Sequence, residues 1–328
     1  MLDLRRLRLL RELAHRKTIA AVAEALSYTP SAVSQQLTAL ERETGVPLLE
    51  RTGRSVTLTP AALRLVEHTE TILATVTQAT AELATARTEL TGTLRIGAFP
   101  TAVRTILSPA LVTLSRAHPH LELLVTELDP AAAPAALRAE TLDIALVQEY
   151  DYVPMDPEPG LDTEPLLTET VHLAVPRPPT SPEPATPEPL AASEVVAVSE
   201  KPVASEPLAT AESPVDSEAL VAQRDSSWIA STPGTLCHAM TVRACRAAGF
   251  TPRIRHHADD FGAVLALVAA GQGVALVPDL GLSFVPPGIV LTPLPTHRRT
   301  RLAYRRGAAD HPIVAAGRAA MHLAVQSV

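Results

Sequence analysis

The segment PSAVSQQLTALERET, residues 30–44, constrains this chain more than any other stretch. Thr29 supplies a hydroxyl N-cap, Pro30 fits a first helical turn that needs no amide donor, and Gly45 is a natural stop. The helix these signals bound has an apolar stripe of Ala32, Val33, Leu37 and Leu40. Its other side carries only small or polar groups: Ser31, Ser34, Gln35 and Thr38, with Gln36 at the margin. A helix of 15 residues cannot bury such a stripe alone. Its partners precede it. Residues 2–15 place Leu4, Leu7, Leu10 and Leu13 at helical spacing between arginines, and Thr18 caps a second, alanine-rich helix, IAAVAEAL. After Gly45, the β-prone runs PLLER and SVTLT flank Thr52-Gly53-Arg54, which signals a hairpin. Three helices and a small hairpin make an all-α winged helix-turn-helix over residues 1–59.

Residues 60–91 follow with no glycine before Gly92 and no proline after Pro60. Val66, Leu73, Val76, Leu83 and Leu90 fall on a heptad seam diluted by Thr69, Thr80 and Arg87. A long helix with so narrow a stripe needs a partner, and pairing of two such helices in a homodimer or homotetramer is the expectation.

Beyond Gly92 the pattern alternates: TLRIGA, LELLVTE, LDIALV, VHLAV, SSWIAS, RIRHHA and GVALV read as strands, separated by helical runs. That alternation argues for parallel α/β layers. Residues 178–219 interrupt it with nine prolines and eight acids, and read as a disordered insert. The formal charge of −7 hides an uneven distribution: residues 1–59 carry +3 and residues 178–219 carry −7. A head suited to a polyanion on a mildly acidic body fits these sums. No apolar run approaches a membrane span and no signal-peptide core follows the N-terminal arginines, so a cytoplasmic protein without membrane contact is expected.

The stretch AAVAEALSYTPSAVSQQLTALERETGVPLLERTGRSVTLTPAA, with GTLRIGAFPTA, LDIALV and AAGQGVALVP further on, resembles the LysR-type transcriptional regulators. The resemblance covers nearly the whole chain. Its one departure is the 178–219 insert, where the family has a short connection. It implies an α/β effector domain like the type 2 periplasmic-binding proteins, with two α/β subdomains, one of residues 92–168 and 276–328 and another of residues 169–275, joined by crossover strands. A small-molecule effector would lie between them, and the head would bind double-stranded promoter DNA.

For DNA contact, the polar side of residues 30–44 is the natural reader, since Gln pairs with adenine and Ser or Thr reach bases or phosphates. Thr29, Pro30, Ser31, Ser34, Gln35, Gln36 and Thr38 are the candidates, with Arg51 and Arg54 of the hairpin on backbone or minor groove. For the effector, Phe99-Pro100-Thr101 and Ser231-Thr232 each lie between a strand and a helix start, where hydroxyls and backbone amides suit a carboxylate. Gln148 and Phe261 join them by family position. Adjacent His256 and His257 face opposite ways on a strand, which disfavours a metal site. No nucleophile elbow, zinc-protease or phosphate-loop motif occurs, so neither an enzyme nor a cofactor is expected. The competing reading is a solute-binding module without regulatory role; the basic head argues against it. Cys237 and Cys245, eight residues apart on one expected helix, are too far apart for a disulfide.

Overall fold

Side-chain caps start the helices of the N-terminal head. Asp3 accepts from the amides of Arg5 and Arg6 to open α1 (Leu4–Arg16), Thr18 accepts from Ala21 to open α2 (Ile19–Ala25), and Thr29 accepts from Ala32 to open α3 (Pro30–Thr44). Gly45, at φ 69°, closes α3 with its N–H on the Glu41 carbonyl. Glu41 then turns back, its Oε1 accepting from the amides of Leu48 and Leu49 at 2.9 and 3.0 Å, and so sets where the hairpin begins. Strands β1 (Leu49–Thr52) and β2 (Ser55–Leu58) pair antiparallel, Leu49 opposite Leu58 and Arg51 opposite Val56. The expected helices and wing are present. Their shared core is Leu7, Leu10, Leu13, Val22, Val33, Leu37, Leu40 and Leu48.

The computed structural model describes residues 2–52, 55–86, 89–177 and 218–326. Arg54, Arg87 and residues 178–217 of the expected insert lie outside them; the insert's last two residues open the short helix α8 (Glu218–Val221). Two compact units divide the chain: residues 1–169 with 234–236 and 297–328, and residues 170–233 with 237–296.

In the first unit α4 (Pro60–Thr85) leaves the hairpin, capped by Thr59, whose hydroxyl also donates to the Pro47 carbonyl at 3.0 Å. The helix is shorter than the expected run to Leu90. The body sheet orders β4 (Leu121–Glu127), β3 (Gly92–Ala98), β5 (Ile144–Tyr150) and β10 (Ile289–Arg305). Strand β3 is parallel to β4 and β5, but β10 runs antiparallel to β5, Thr300 opposite Gln148. The expected α/β layers are present, with β10 as an antiparallel member that needs no crossover helix. After β3 the chain is helical through α5 (Pro100–Ala102), a π turn at Val103–Leu107 and α6 (Ser108–Ala117). Helix α7 (Ala133–Arg138) packs on β5. The closing helix α11 (Pro312–Val325) lies over β3, where a Cβ on Gly317 would collide with Leu94 and Ile144.

The head and linker helix are fastened to this body within the unit. Arg11 donates to the Arg138 carbonyl at 3.2 Å, and Arg8 pairs with Glu140 at 3.0 Å. Buried Glu70 of α4 faces Arg11 at 3.9 Å and His15 at 3.4 Å. Gly307, at φ 84°, lets the turn after β10 meet α4 so closely that a Cβ there would overlap the Ala74 carbonyl.

The second unit has a different frame. The long strand β6 (Leu161–Pro176) enters it at Thr170 and pairs antiparallel with β9 (Ala275–Pro278), while β7 (Ser227–Ala230) pairs parallel with β8 (Arg253–His257). Helices α9 (Leu236–Ala247) and α10 (Phe261–Ala269) pack there, and Phe261, Val264, Leu265, Val268 and Val277 form a core. Trp228 is fully buried with its indole N–H on the Gln223 carbonyl at 3.2 Å. Gly307→Val imposes both a left-handed backbone and a clash with α4; a loss of about 1–3 kcal/mol is expected. Urea denaturation measures it, and an unchanged midpoint would show that α4 is not seated on this turn.

Candidate functional site

Helix α3 buries one side and offers the other. Val33, Leu37 and Leu40 are at most 1% exposed, whereas Thr29, Pro30, Ser31 and Gln35 are exposed and Ser34 and Thr38 half-buried. Gln36 is turned towards α1, its Oε1 accepting from Arg6 Nε at 2.9 Å; Arg6 also pairs with Glu43. Thr29 commits its hydroxyl to the cap and to a 3.0 Å contact with Ser31. Arg51 is on the first hairpin strand. What remains outward is a short row of hydroxyl and amide groups on a firmly anchored helix.

In the body of the first unit, the expected residues Phe99, Thr101 and Gln148 meet around a side chain that the pattern reading did not single out. Arg298 of β10 is 1% exposed. Its Nε and Nη2 donate to the two carboxylate oxygens of Glu169 at 2.7 and 3.0 Å. Nη1 donates to Gln148 Oε1 at 3.3 Å, and Nη2 to Thr101 Oγ1 at 3.4 Å. The guanidinium carbon sits 5.1 Å from the Phe99 ring centroid, a cation–π contact. Glu169, Gln148 and Thr101 are all buried. Thr101 is therefore an acceptor for an arginine and not a helix cap: the N-cap position of α5 is Phe99, which makes no side-chain cap bond. Pro100 sits beside it at the first helical position, and the π turn that follows is an irregularity frequent near functional sites. Thr300, on the same face of β10 as Arg298, is 1% exposed, and its Oγ1 has no hydrogen-bond partner.

The second unit places Ser231 and Thr232 just after β7, four or more residues before α9 begins. Thr232 donates from its amide to Asp259 Oδ1 at 2.8 Å and from its hydroxyl to Oδ2 at 2.7 Å. The Ser231 carbonyl receives two imidazoles, His238 Nδ1 at 2.8 Å and His257 Nδ1 at 3.1 Å. A carbonyl cannot donate, so both rings carry a proton on Nδ1. Phe261 is 7% exposed and lies in the unit's core, against Gly281. Among the described residues, no cluster of three His, Cys, Asp or Glu could hold a metal.

Arg298 and Glu169 had a signal in the sequence. Glu169, Val171 and Leu173 share one face of β6, as Arg298, Thr300 and Leu302 share one of β10, so each strand carries a charge in its dry row. The prolines of LTPLPTHRR hid β10 as a strand. Removing the cation alone, as Arg298→Met, leaves a buried carboxylate without its partner and should cost about 3–5 kcal/mol, while adding Glu169→Leu should recover most of it. Chemical denaturation of both variants checks this; equal losses would make the pair energetically idle.

Comparison with known proteins agrees with this geometry. The description "Bacterial regulatory helix-turn-helix protein, lysR family" matches residues 4–63, and "LysR substrate binding domain" matches residues 87–324. The transcriptional dual regulator GltC of Bacillus subtilis is 27% identical over 279 residues, covering 85% of this chain and 81% of that one. A probable hydrogen peroxide-inducible genes activator of Mycobacterium xenopi is 36% identical over 170 residues, 52% of this chain and 87% of that one. The structure of a full-length OxyR variant from Pseudomonas aeruginosa shares the fold at a TM-score of 0.56, with 21% identity and 98% of each chain covered. With the two matches reaching from the first helix to the last, the chain belongs to the LysR family and is a DNA-binding transcriptional regulator with an effector-binding domain, not an enzyme.

Proposed function

We propose that this regulator reads double-stranded promoter DNA with the outward row of α3, works in the cytoplasm as a homodimer or homotetramer, and responds to a small molecule at the Phe99–Thr101–Gln148 surface. The observation that carries the DNA reading is the division of α3: three aliphatic residues at most 1% exposed behind a row of Ser31, Ser34, Gln35 and Thr38. Gln35 and Ser34 reach base edges in this reading, Ser31 and Thr29 the phosphates near the helix N-terminus, and Arg51 and Arg54 the flanking backbone or minor groove. Among the described residues, no helix is long and apolar enough to cross a membrane.

The oligomer reading rests on α4. Leu83 is 77% exposed, Leu63 51%, Val76 40% and Ile72 38%, and Val76 and Leu83 stand one heptad apart. Other seam residues are used inside the chain: Leu73 is buried, and Val66 packs against the core of the head. Covering the exposed side with a second α4 is the simplest solution.

A hydrogen peroxide response like the one in the name of the Mycobacterium relative would have no Cys237–Cys245 disulfide to use. Cys237 and Cys245 stand eight residues apart on α9, about 12 Å along the helix axis and beyond the ~7 Å reach of a disulfide. Burial pushes the Cys245 thiol up to about 12, which keeps it protonated and unreactive.

Ser34→Ala combined with Gln35→Ala should lower affinity for the regulator's own promoter fragment by about 1–3 kcal/mol per lost base contact, and leave binding to unrelated duplex nearly unchanged. Fluorescence anisotropy at fixed salt measures both; equal affinity of variant and parent for the promoter sinks the α3 reading. Leu83→Glu alters a side chain exposed within its own chain, so the folded protomer should persist while the oligomer dissociates. Sedimentation velocity reads the outcome, and an unchanged coefficient would place the interface elsewhere.

A further inference from the structure

Both places where the sequence suggested an anion clamp already hold a carboxylate of the chain itself. In the first unit Glu169 takes the Nε and Nη2 donors of Arg298 in a two-point pair, while Gln148 takes Nη1. In the second unit Asp259 takes the amide and hydroxyl of Thr232, again at two points. An incoming carboxylate would have to displace Glu169 from a buried arginine, or settle beside it and add a second negative charge in the same dry surroundings. Like charges at that distance disfavour each other's ionised form. The arginine's charge is already balanced.

We infer that the effector is an uncharged hydrogen-bonding molecule, such as an amide, alcohol or phenol, and not a carboxylate or other anion. Thr300 gives this its positive side. Its Oγ1 is buried without a partner, in register with Gln148 and on the strand face that carries Arg298. A hydroxyl can donate or accept, and leaving it unmet in a dry site is costly, so an uncharged group that supplies either role is favoured there. Glu169 is then a specificity-determining residue: it cancels the charge that would otherwise recruit anions, while Arg298 keeps Thr101 and Gln148 in place. The inference rests on the Phe99–Thr101–Gln148 surface being where the effector binds.

Benzamide, benzoate and benzamidine have nearly the same shape and differ in charge, which makes them suitable probes. Titration calorimetry of the full chain should show benzamide bound at least about tenfold more tightly than benzoate. Glu169→Gln should reverse the order, raising benzoate affinity about tenfold or more. Since removing a buried partner can unfold the protein, circular dichroism accompanies that variant, and Thr300→Val provides a second, which removes the unmet hydroxyl and no charge. It should weaken benzamide binding about tenfold and leave benzoate affinity unchanged. Preference of the parent protein for benzoate overturns the inference and leaves the effector surface standing. So does an unchanged benzoate affinity in folded Glu169→Gln together with an unchanged benzamide affinity in Thr300→Val. Failure of all three probes to bind parent and variants removes the effector surface itself, and the inference with it.

Discussion

A charged pair in the dry interior holds the sensing half of this protein in order. Arg298 and Glu169 stand 129 positions apart in the chain, on different strands, and each puts a charge in a buried row. Burying two such ions is costly, and only their two-point contact, with Gln148 and Thr101 taking further donors, offsets it. Arg298 reaches Gln148 in the register that sets Thr300 opposite it. The Phe99 ring covers the guanidinium.

The head was legible because its signals are local. Asp3, Thr18, Thr29 and Thr59 each act within a few residues, and Gly45 ends α3 where its left-handed conformation is needed. The body was legible in part. Strands such as LDIALV announce themselves by continuous apolar burial, yet β10 carries two prolines and four arginines in its 17 residues and passed unrecognised. Helix α11 was missed for a similar reason: Gly317 breaks its pattern, and its purpose, close approach to Leu94 and Ile144, exists only in three dimensions.

The sites divide the same way. Thr101 and Gln148 were named from position as effector residues; in the structure both accept from an arginine contributed by a segment 150 or more residues later. Phe261 was expected beside an effector and is a core residue at the start of α10, packed with Val264 and Leu265. Thr232 was expected to steady a ligand and steadies Asp259. Sequence reading locates groups capable of a contact; only the fold says which contacts are already made.

The seat of α4 on the turn at Gly307 has a mechanical meaning. The same helix contacts α1 of the head and, through Glu70, the arginine and histidine that α1 presents. The reader and the first unit's sheet are thus seated on a single girder. For assemblies of such chains, the adjustable joint is then the one between copies. A signal that repositions two readers on a duplex would travel as a change in how neighbours meet, each girder moving as a rigid lever.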